Sequence, residues 1–307
     1  MRRLSSSDLV LLGCVLAWSV NFTVTKYALG HGFSPLSYAA PRFVIATTVF
    51  AAMALSRVDS LGMPRRDLTR VALWGALAIS TNQVAFAWSF HFASATTVAL
   101  LMGTLPIFAG IYAQAFGLER LGRRRWFAAA ISFAGVALVA LGAGGGVHIG
   151  AGGILLALYA PASFALYSIT LSRYVGLYGT FRVNAVASLA CLPILLAAAS
   201  PELARTDWGA ITPLAWAGLA YSAVLAYAIT NLVWFVIVER VGAPRATVYA
   251  NLQPFLGAVF ALVLLSEPLG WLQVVGGVAI AIGIVLSRFR AAGRERASTF
   301  EASVPGE

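Results

Sequence analysis

Six apolar stretches of this 307-residue chain carry polar and aromatic side chains at helical spacing. Trp18, Asn21 and Thr25 stand at i, i+3 and i+7, so they share one helix face. Tyr227, Asn231 and Trp234 share a face in the same way. Asn82, Gln83 and Phe86 mark a third stretch, and Ser163, Tyr167 and Thr170 a fourth. Thr97, Leu101 and Thr104 mark a fifth, and Tyr249, Asn251 and Gln253 a sixth. Such residues hold a solute without breaking its bonds. Aromatic faces pack on a ring or an apolar side chain. Amides donate to a carboxylate and accept from an amine. Hydroxyls and amides also bridge packed helices, so the reading rests on the whole set of faces.

Bond-breaking chemistry has little to work with. Asp8, Glu119, Glu239 and Glu267 all fall near the ends of apolar runs, and no carboxylate falls in the middle of one. Gly-x-Ser-x-Gly and His-Glu-x-x-His are both missing. His31, His91 and His148 are too widely spaced for a metal motif. Cys14 and Cys191 sit inside apolar runs, as small buried hydrophobes do. Glu119 and Glu267 each precede Leu-Gly in a tight connection, where a carboxylate caps the next helix or pairs with an arginine. No enzyme activity, cofactor or metal is expected.

These residues need elements to position them. The chain is 60% hydrophobic and 10% charged, with mean hydropathy +0.84. A soluble fold of this size would expose large apolar patches at so low a charge. A spanning helix needs about 20 mostly apolar residues. Ten such runs lie near 8–29, 36–56, 69–90, 96–117, 126–142, 150–172, 182–199, 211–238, 246–265 and 270–287. They lack the alternation that a membrane β-barrel requires. The expected fold is an all-α membrane protein with ten transmembrane helices. The first run follows Met1-Arg2-Arg3 but continues to Leu29 with no cleavage signature, so it is read as a retained helix.

The net charge of +10 would ordinarily point to nucleic acid. Here it sorts by loop. With the N-terminus inside, only Lys26, Arg42 and Arg205 of the 21 basic residues fall on the outer half, where Glu202, Asp207 and Glu267 balance them. The positive excess is therefore all on the inner side, as the positive-inside rule requires. No nucleic-acid partner follows. Both termini are expected in the cytoplasm, with the protein in a bacterial inner membrane and the lipid bilayer as its partner. The arginines of a disordered tail, 291–307, lie against the anionic leaflet. Lys26 is expected to snorkel to the headgroups. Arg42 lies about two turns into the second helix, where it bonds carbonyls or faces a cavity mouth in a gating or anion-attracting role.

A shift of 148 residues brings the chain onto itself. Pro106 falls on Pro254, Glu119 on Glu267, Leu121-Gly122 on Leu269-Gly270 and Gly135 on Gly283. Gln83 falls on Asn231 and Phe86 on Trp234, while Trp18 falls near Phe164. Each copy holds five helices. Five is odd, so the second copy enters the membrane from the opposite side. Inverted repeats of this kind belong to secondary transporters, because two similar halves can exchange which end gapes. The expected units are 1–145 and 146–290, followed by the tail. Pro106 and Pro254, as repeat mates, predict matched bends that act as hinges.

The order of Ala17-Trp18, Lys26, Pro35 and Arg42-Phe43, then Thr104-Leu-Pro106 to Glu119 and Leu252-Gln-Pro254 to Glu267, resembles the drug/metabolite transporter superfamily, EamA branch. The resemblance covers nearly the whole chain. It implies a central cavity lined by helices 1, 3, 4, 6, 8 and 9, with 5 and 10 peripheral. It also implies export of amino acids, including aromatic ones. Small multidrug pumps of the same superfamily carry a carboxylate in their first helix, and here Asn21 and neutral neighbours stand instead.

The expectation is therefore a carrier of a neutral or zwitterionic small-molecule substrate, working by alternating access without strong ion coupling. Its candidate lining is Trp18, Asn21, Thr25, Asn82, Gln83, Phe86, Leu101, Thr104, Ser163, Tyr167, Tyr227, Asn231, Trp234, Tyr249 and Asn251, with Arg42, Pro106 and Pro254 as gate and hinges. Export of other metabolites or drugs, such as nucleobases or cationic compounds, stays open, as does a membrane enzyme. So does monomer against homodimer. The small-residue face Ala279/Gly283 serves packing either within one chain or between two.

Overall fold

The computed structural model describes residues 5–118, 122–142 and 151–288. Glu119, His148 and the expected tail lie outside them. The described residues are helical, without strands. The ten spans are Ser6–Leu29, Pro35–Leu55, Arg65–Phe92, Ala95–Ala115, Arg123–Gly142, Ala151–Tyr178, Thr180–Arg205, Pro213–Val241, Ala243–Leu265 and Trp271–Arg288. They are called spans 1 to 10 below. Nine are long and apolar enough to cross a membrane, and the apolar part of span 10, Trp271–Leu286, is shorter. The chain is a multi-pass membrane protein.

Spans 3, 6 and 7 run further than the apolar runs predict, to Arg65, Tyr178 and Arg205. An apolar window stops where polar and charged residues gather, whereas a helix continues while long side chains reach toward water. Spans 6 and 7 are separated by Gly179 alone, whose φ of +81° makes the turn that an L side chain resists.

Spans 4 and 9 are each broken. Span 4 divides into Ala95–Met102 and Leu105–Ala115, and span 9 into Ala243–Ala250 and Gln253–Leu265. The second piece of each starts with a proline in its first turn, Pro106 or Pro254. Proline is tolerated there, where its missing N–H costs nothing. The predicted bends are thus outright interruptions, at positions matched across the repeat.

The repeats interlock. Mates pack on mates: span 2 on 7, span 4 on 9, span 5 on 10. Spans 5 and 10 approach on glycine. A Cβ on Gly135 would stand 2.6 Å from the Gly276 carbonyl, and one on Gly276 2.5 Å from the Gly135 carbonyl. A Cβ on Gly283 would collide with the Ser132 hydroxyl. The Ala279/Gly283 face is therefore occupied within the chain, by span 5. Outward-facing positions such as Leu73, Leu141, Val263 and Val278 stay exposed on the bundle's flank, as a lipid-facing surface requires.

Span 8 has a feature that its sequence does not announce. Residues Tyr221–Ile229 form a π-helix between two α-helical pieces. Such segments are rare and occur chiefly near functional sites.

Candidate functional site

A cavity of about 620 Å³ lies between the repeats. That volume suits a small metabolite. Its walls carry Trp18, Phe50, Phe164, Tyr167, Tyr227, Trp234 and Phe235 as aromatics. Asn82, Gln83, Asn184, Asn231 and Gln253 supply amides, and Ser168, Ser172, Thr180 and Ser188 hydroxyls. No Asp, Glu, Lys, Arg or His is among the described lining residues.

Hydrogen bonds fix these groups in place. The Trp18 indole donates to the Ala226 carbonyl at 2.9 Å, and its ring stands 4.9 Å from that of Trp234. Ala226 lies in the π segment, so that segment helps to position the indole. Asn231 donates to the Tyr227 carbonyl at 2.6 Å and Thr230 to that of Leu225 at 2.7 Å. The Tyr167 hydroxyl donates to Asn184 at 2.6 Å, joining spans 6 and 7. Asn82 donates to the Ala160 carbonyl at 2.7 Å and to Ser163 at 3.2 Å. Ser163 thus stands behind Asn82, which itself reaches the wall.

Seven of the sequence candidates reach the cavity: Trp18, Asn82, Gln83, Tyr167, Tyr227, Asn231 and Trp234. Asn21, Thr25, Phe86, Leu101, Thr104, Ser163, Tyr249 and Asn251 are outside its walls. The reason is depth for span 1. Thr25 is seven residues beyond Trp18, about 10 Å along the helix, and the closed end begins between them. Thr25 Oγ1 and Asn21 Oδ1 are buried with no partner among the described residues. Leu101 is core, and Thr104 turns its hydroxyl onto the Leu101 carbonyl at the break in span 4. Tyr249 instead approaches Asp8, which pairs with Arg245 at 2.6 Å.

Other wall residues come from spans that the resemblance leaves out. Span 7 contributes Thr180, Asn184 and Ser188, and span 2 contributes Phe50. A lone amide in an apolar helix is a weak signal, so Asn184 has no pattern to mark it. Phe164 does carry one, since Trp18 falls near it under the repeat shift.

The cavity runs from mid-span residues, Trp18 and Asn82, to Phe50, Val175 and Thr180 at the arginine-rich end that bears the N-terminus. The opposite end is shut. Phe22, Phe86 and Phe90 form an aromatic plug with centroids 5.0–6.3 Å apart. Above it, charged groups close helix termini. Lys26 donates to the Phe90 and Ala93 carbonyls at 2.6 and 2.9 Å, so it caps span 3 rather than snorkelling. Glu267 accepts from the Ala95 and Thr96 amides at 2.9 Å each and from the Thr96 hydroxyl. It therefore caps span 4, across the repeat boundary, rather than the helix that follows it. Glu202 does the same for span 2, through Ser34 at 2.6 Å and the Leu36 amide at 2.7 Å.

Arg42 lies beneath these caps, 5% exposed and away from any mouth. It donates from Nη2 to Gln83 Oε1 and from Nη1 to Ser222 at 3.4 Å. Pro254 packs near Gly103, beside the matched break.

The sequence profile of the EamA-like transporter family matches this chain twice, over residues 5–141 and 151–289. A probable terminal-alkyne amino-acid exporter of Streptantibioticus cattleyicolor is 29% identical over 99% of both chains. A probable amino-acid metabolite efflux pump of Salmonella typhimurium is 27% identical, covering 90% of this chain and 92% of its own. The protein of that description from Escherichia coli is 26% identical over 93% and 96%. A solved crystal structure superposes with a TM-score of 0.65 over 94% of this chain and 99% of that one, at 19% identity, and shares the fold. With ten spans in two repeats around a cavity, and a profile that matches both halves, the chain belongs to the EamA-like transporter family.

Proposed function

We propose that the protein exports neutral or zwitterionic small metabolites, most of all amino acids including aromatic ones, from the cytoplasm across a bacterial inner membrane. The observation that carries this reading is the cavity wall: aromatic faces, amides and hydroxyls, with no charged side chain among the described lining residues. Aromatic faces receive an apolar body, and amides receive both ends of a zwitterion. The relatives' descriptions as amino-acid exporters support the solute class.

Alternating access supplies the mechanism. The cavity reaches the arginine-rich end, which the positive-inside rule assigns to the cytoplasm. A solute enters there, and its binding lets the aromatic plug and the Glu267 and Glu202 caps part while the other end closes. The breaks at Gly103-Thr104 and Asn251-Leu252 give spans 4 and 9 segments that tilt independently. Pro106 and Pro254 serve as the hinges of that motion. Proton coupling in carriers commonly uses an intramembrane carboxylate, and none is among the described lining residues of this cavity. The carrier accordingly runs down its solute gradient.

Uptake of labelled phenylalanine into proteoliposomes, competed by a panel of amino acids, nucleobases and cationic drugs, tests the solute class. Competition by amino acids alone is expected. Competition by nucleobases or cations alone would contradict it.

A further inference from the structure

We propose that Arg42 is the carboxylate anchor of the transported solute, and that Gln83 holds its place between transport events. The inference rests on reading the cavity as an amino-acid site. It begins from a charge without a counter-charge. Arg42 lies deep in span 2, where an ionised group is costly and is ordinarily paired. Three acids at the ends of the spans are engaged elsewhere. Asp8 holds Arg245, Glu202 caps span 2 and Glu267 caps span 4. No ion pair to Arg42 occurs among the described residues.

What surrounds Arg42 is neutral. Tyr38 and Phe86 place ring centroids 5.8 and 5.9 Å from its guanidinium carbon. Ser222 takes Nη1 at 3.4 Å. Gln83 takes Nη2 with its amide oxygen, and Nε has no partner. Nε and Nη2 form the edge of the guanidinium that grips a carboxylate with two parallel bonds. Here a neutral amide holds one corner of that edge and the other corner is buried without a partner among the described residues.

Gln83 is also the link to the cavity. It lines the wall on one side and bonds Arg42 on the other. Its own amide nitrogen donates to Asn82 at 3.2 Å, so the group stays tethered when its oxygen is displaced. A carboxylate entering beside Gln83 takes the Nε/Nη2 edge and brings the missing negative charge with it. The solute's ammonium is left toward the amides and aromatic faces of the wall. The required ligand chemistry is a free carboxylate on an apolar body. The corresponding amide, ester or decarboxylated amine lacks the group that Arg42 reads.

Binding of labelled phenylalanine to the purified full chain in nanodiscs tests this, with unlabelled phenylalanine, phenylalaninamide and phenethylamine as competitors. For the wild type, the amide and the amine should compete about 30-fold or more weakly than the acid. Arg42→Gln should abolish that preference, and Arg42→Lys should restore part of it. Equal competition by acid and amide in the wild type overturns the anchor while leaving the amino-acid reading intact, as does a preference that survives in Arg42→Gln. Failure of every amino acid to bind the wild type overturns the amino-acid reading, and the anchor with it. Should Arg42→Gln fail to fold, the wild-type comparison and Arg42→Lys decide the matter.

Discussion

Ser132 and Ile280 stand 148 residues apart, and they touch: the Ser132 hydroxyl donates to the Ile280 carbonyl at 3.5 Å. That separation is the shift that superimposes the two halves of the sequence. Repeat mates meet only where a two-fold axis passes, so the axis relating the halves runs between spans 5 and 10. Gly135 and Gly283, themselves mates, lie on either side of it.

That seam should be intolerant of bulk. Gly283→Val drives its side chain into Ser132 and the Ala128 carbonyl, and Gly135→Val drives its own into Gly276 and Ile280. Each should destabilise the protein by about 1–3 kcal/mol, read as a lower Tm in detergent. Gly152→Ala, where an added Cβ meets nothing, serves as the comparison and should leave Tm near the wild-type value.

Glu267 holds two repeats together through one carboxylate. Glu267→Ala removes the acceptor for the Ala95 and Thr96 amides and should cost about 1–2 kcal/mol. Glu267→Gln keeps an acceptor and loses the charge, so its cost should be smaller. Tm values for the two variants in that order support the cap, and equal losses would assign the effect to charge alone.

Trp18→Phe keeps an aromatic face and loses the indole donor to Ala226. The loss is about 1 kcal/mol, the net worth of one hydrogen bond. It should fall on solute affinity as well as on stability, because the bond holds Trp18 against the wall. A Kd for phenylalanine unchanged from wild type, with Tm lowered, would place the bond in stability only.

Pro106→Ala and Pro254→Ala restore backbone N–H groups at the matched breaks. A more continuous helix tilts less freely. Both variants should slow transport more than they alter Kd, measured as turnover against equilibrium binding. Wild-type turnover in both would remove the hinges from the mechanism.

Much of this architecture is legible in the residues. Ten spans follow from apolar length, which the bilayer enforces, and the 148-residue shift locates matched features from the residues alone. Pro106 and Pro254 mark the breaks in spans 4 and 9. Trp18, Gln83, Asn231 and Trp234 were visible because their neighbours are apolar and a polar or bulky group stands out. What stays hidden has physical reasons. A helix face lists residues over several turns, but a cavity covers only part of that height, which separates Trp18 from Thr25. The π segment Tyr221–Ile229 is apolar and free of glycine and proline, so no composition marks it. Lys26 and Glu267 read as residues at helix ends, and only the fold brings foreign helix termini within their reach.

The absence of charged side chains from the described residues of the cavity wall reaches furthest into mechanism. Efflux of phenylalanine from proteoliposomes, with pH and sodium equal on both sides and then repeated between about pH 6 and 8, measures it directly. Transport that persists without either gradient and changes little with pH is the predicted result. Transport that stops until a proton or sodium gradient is imposed would contradict the account.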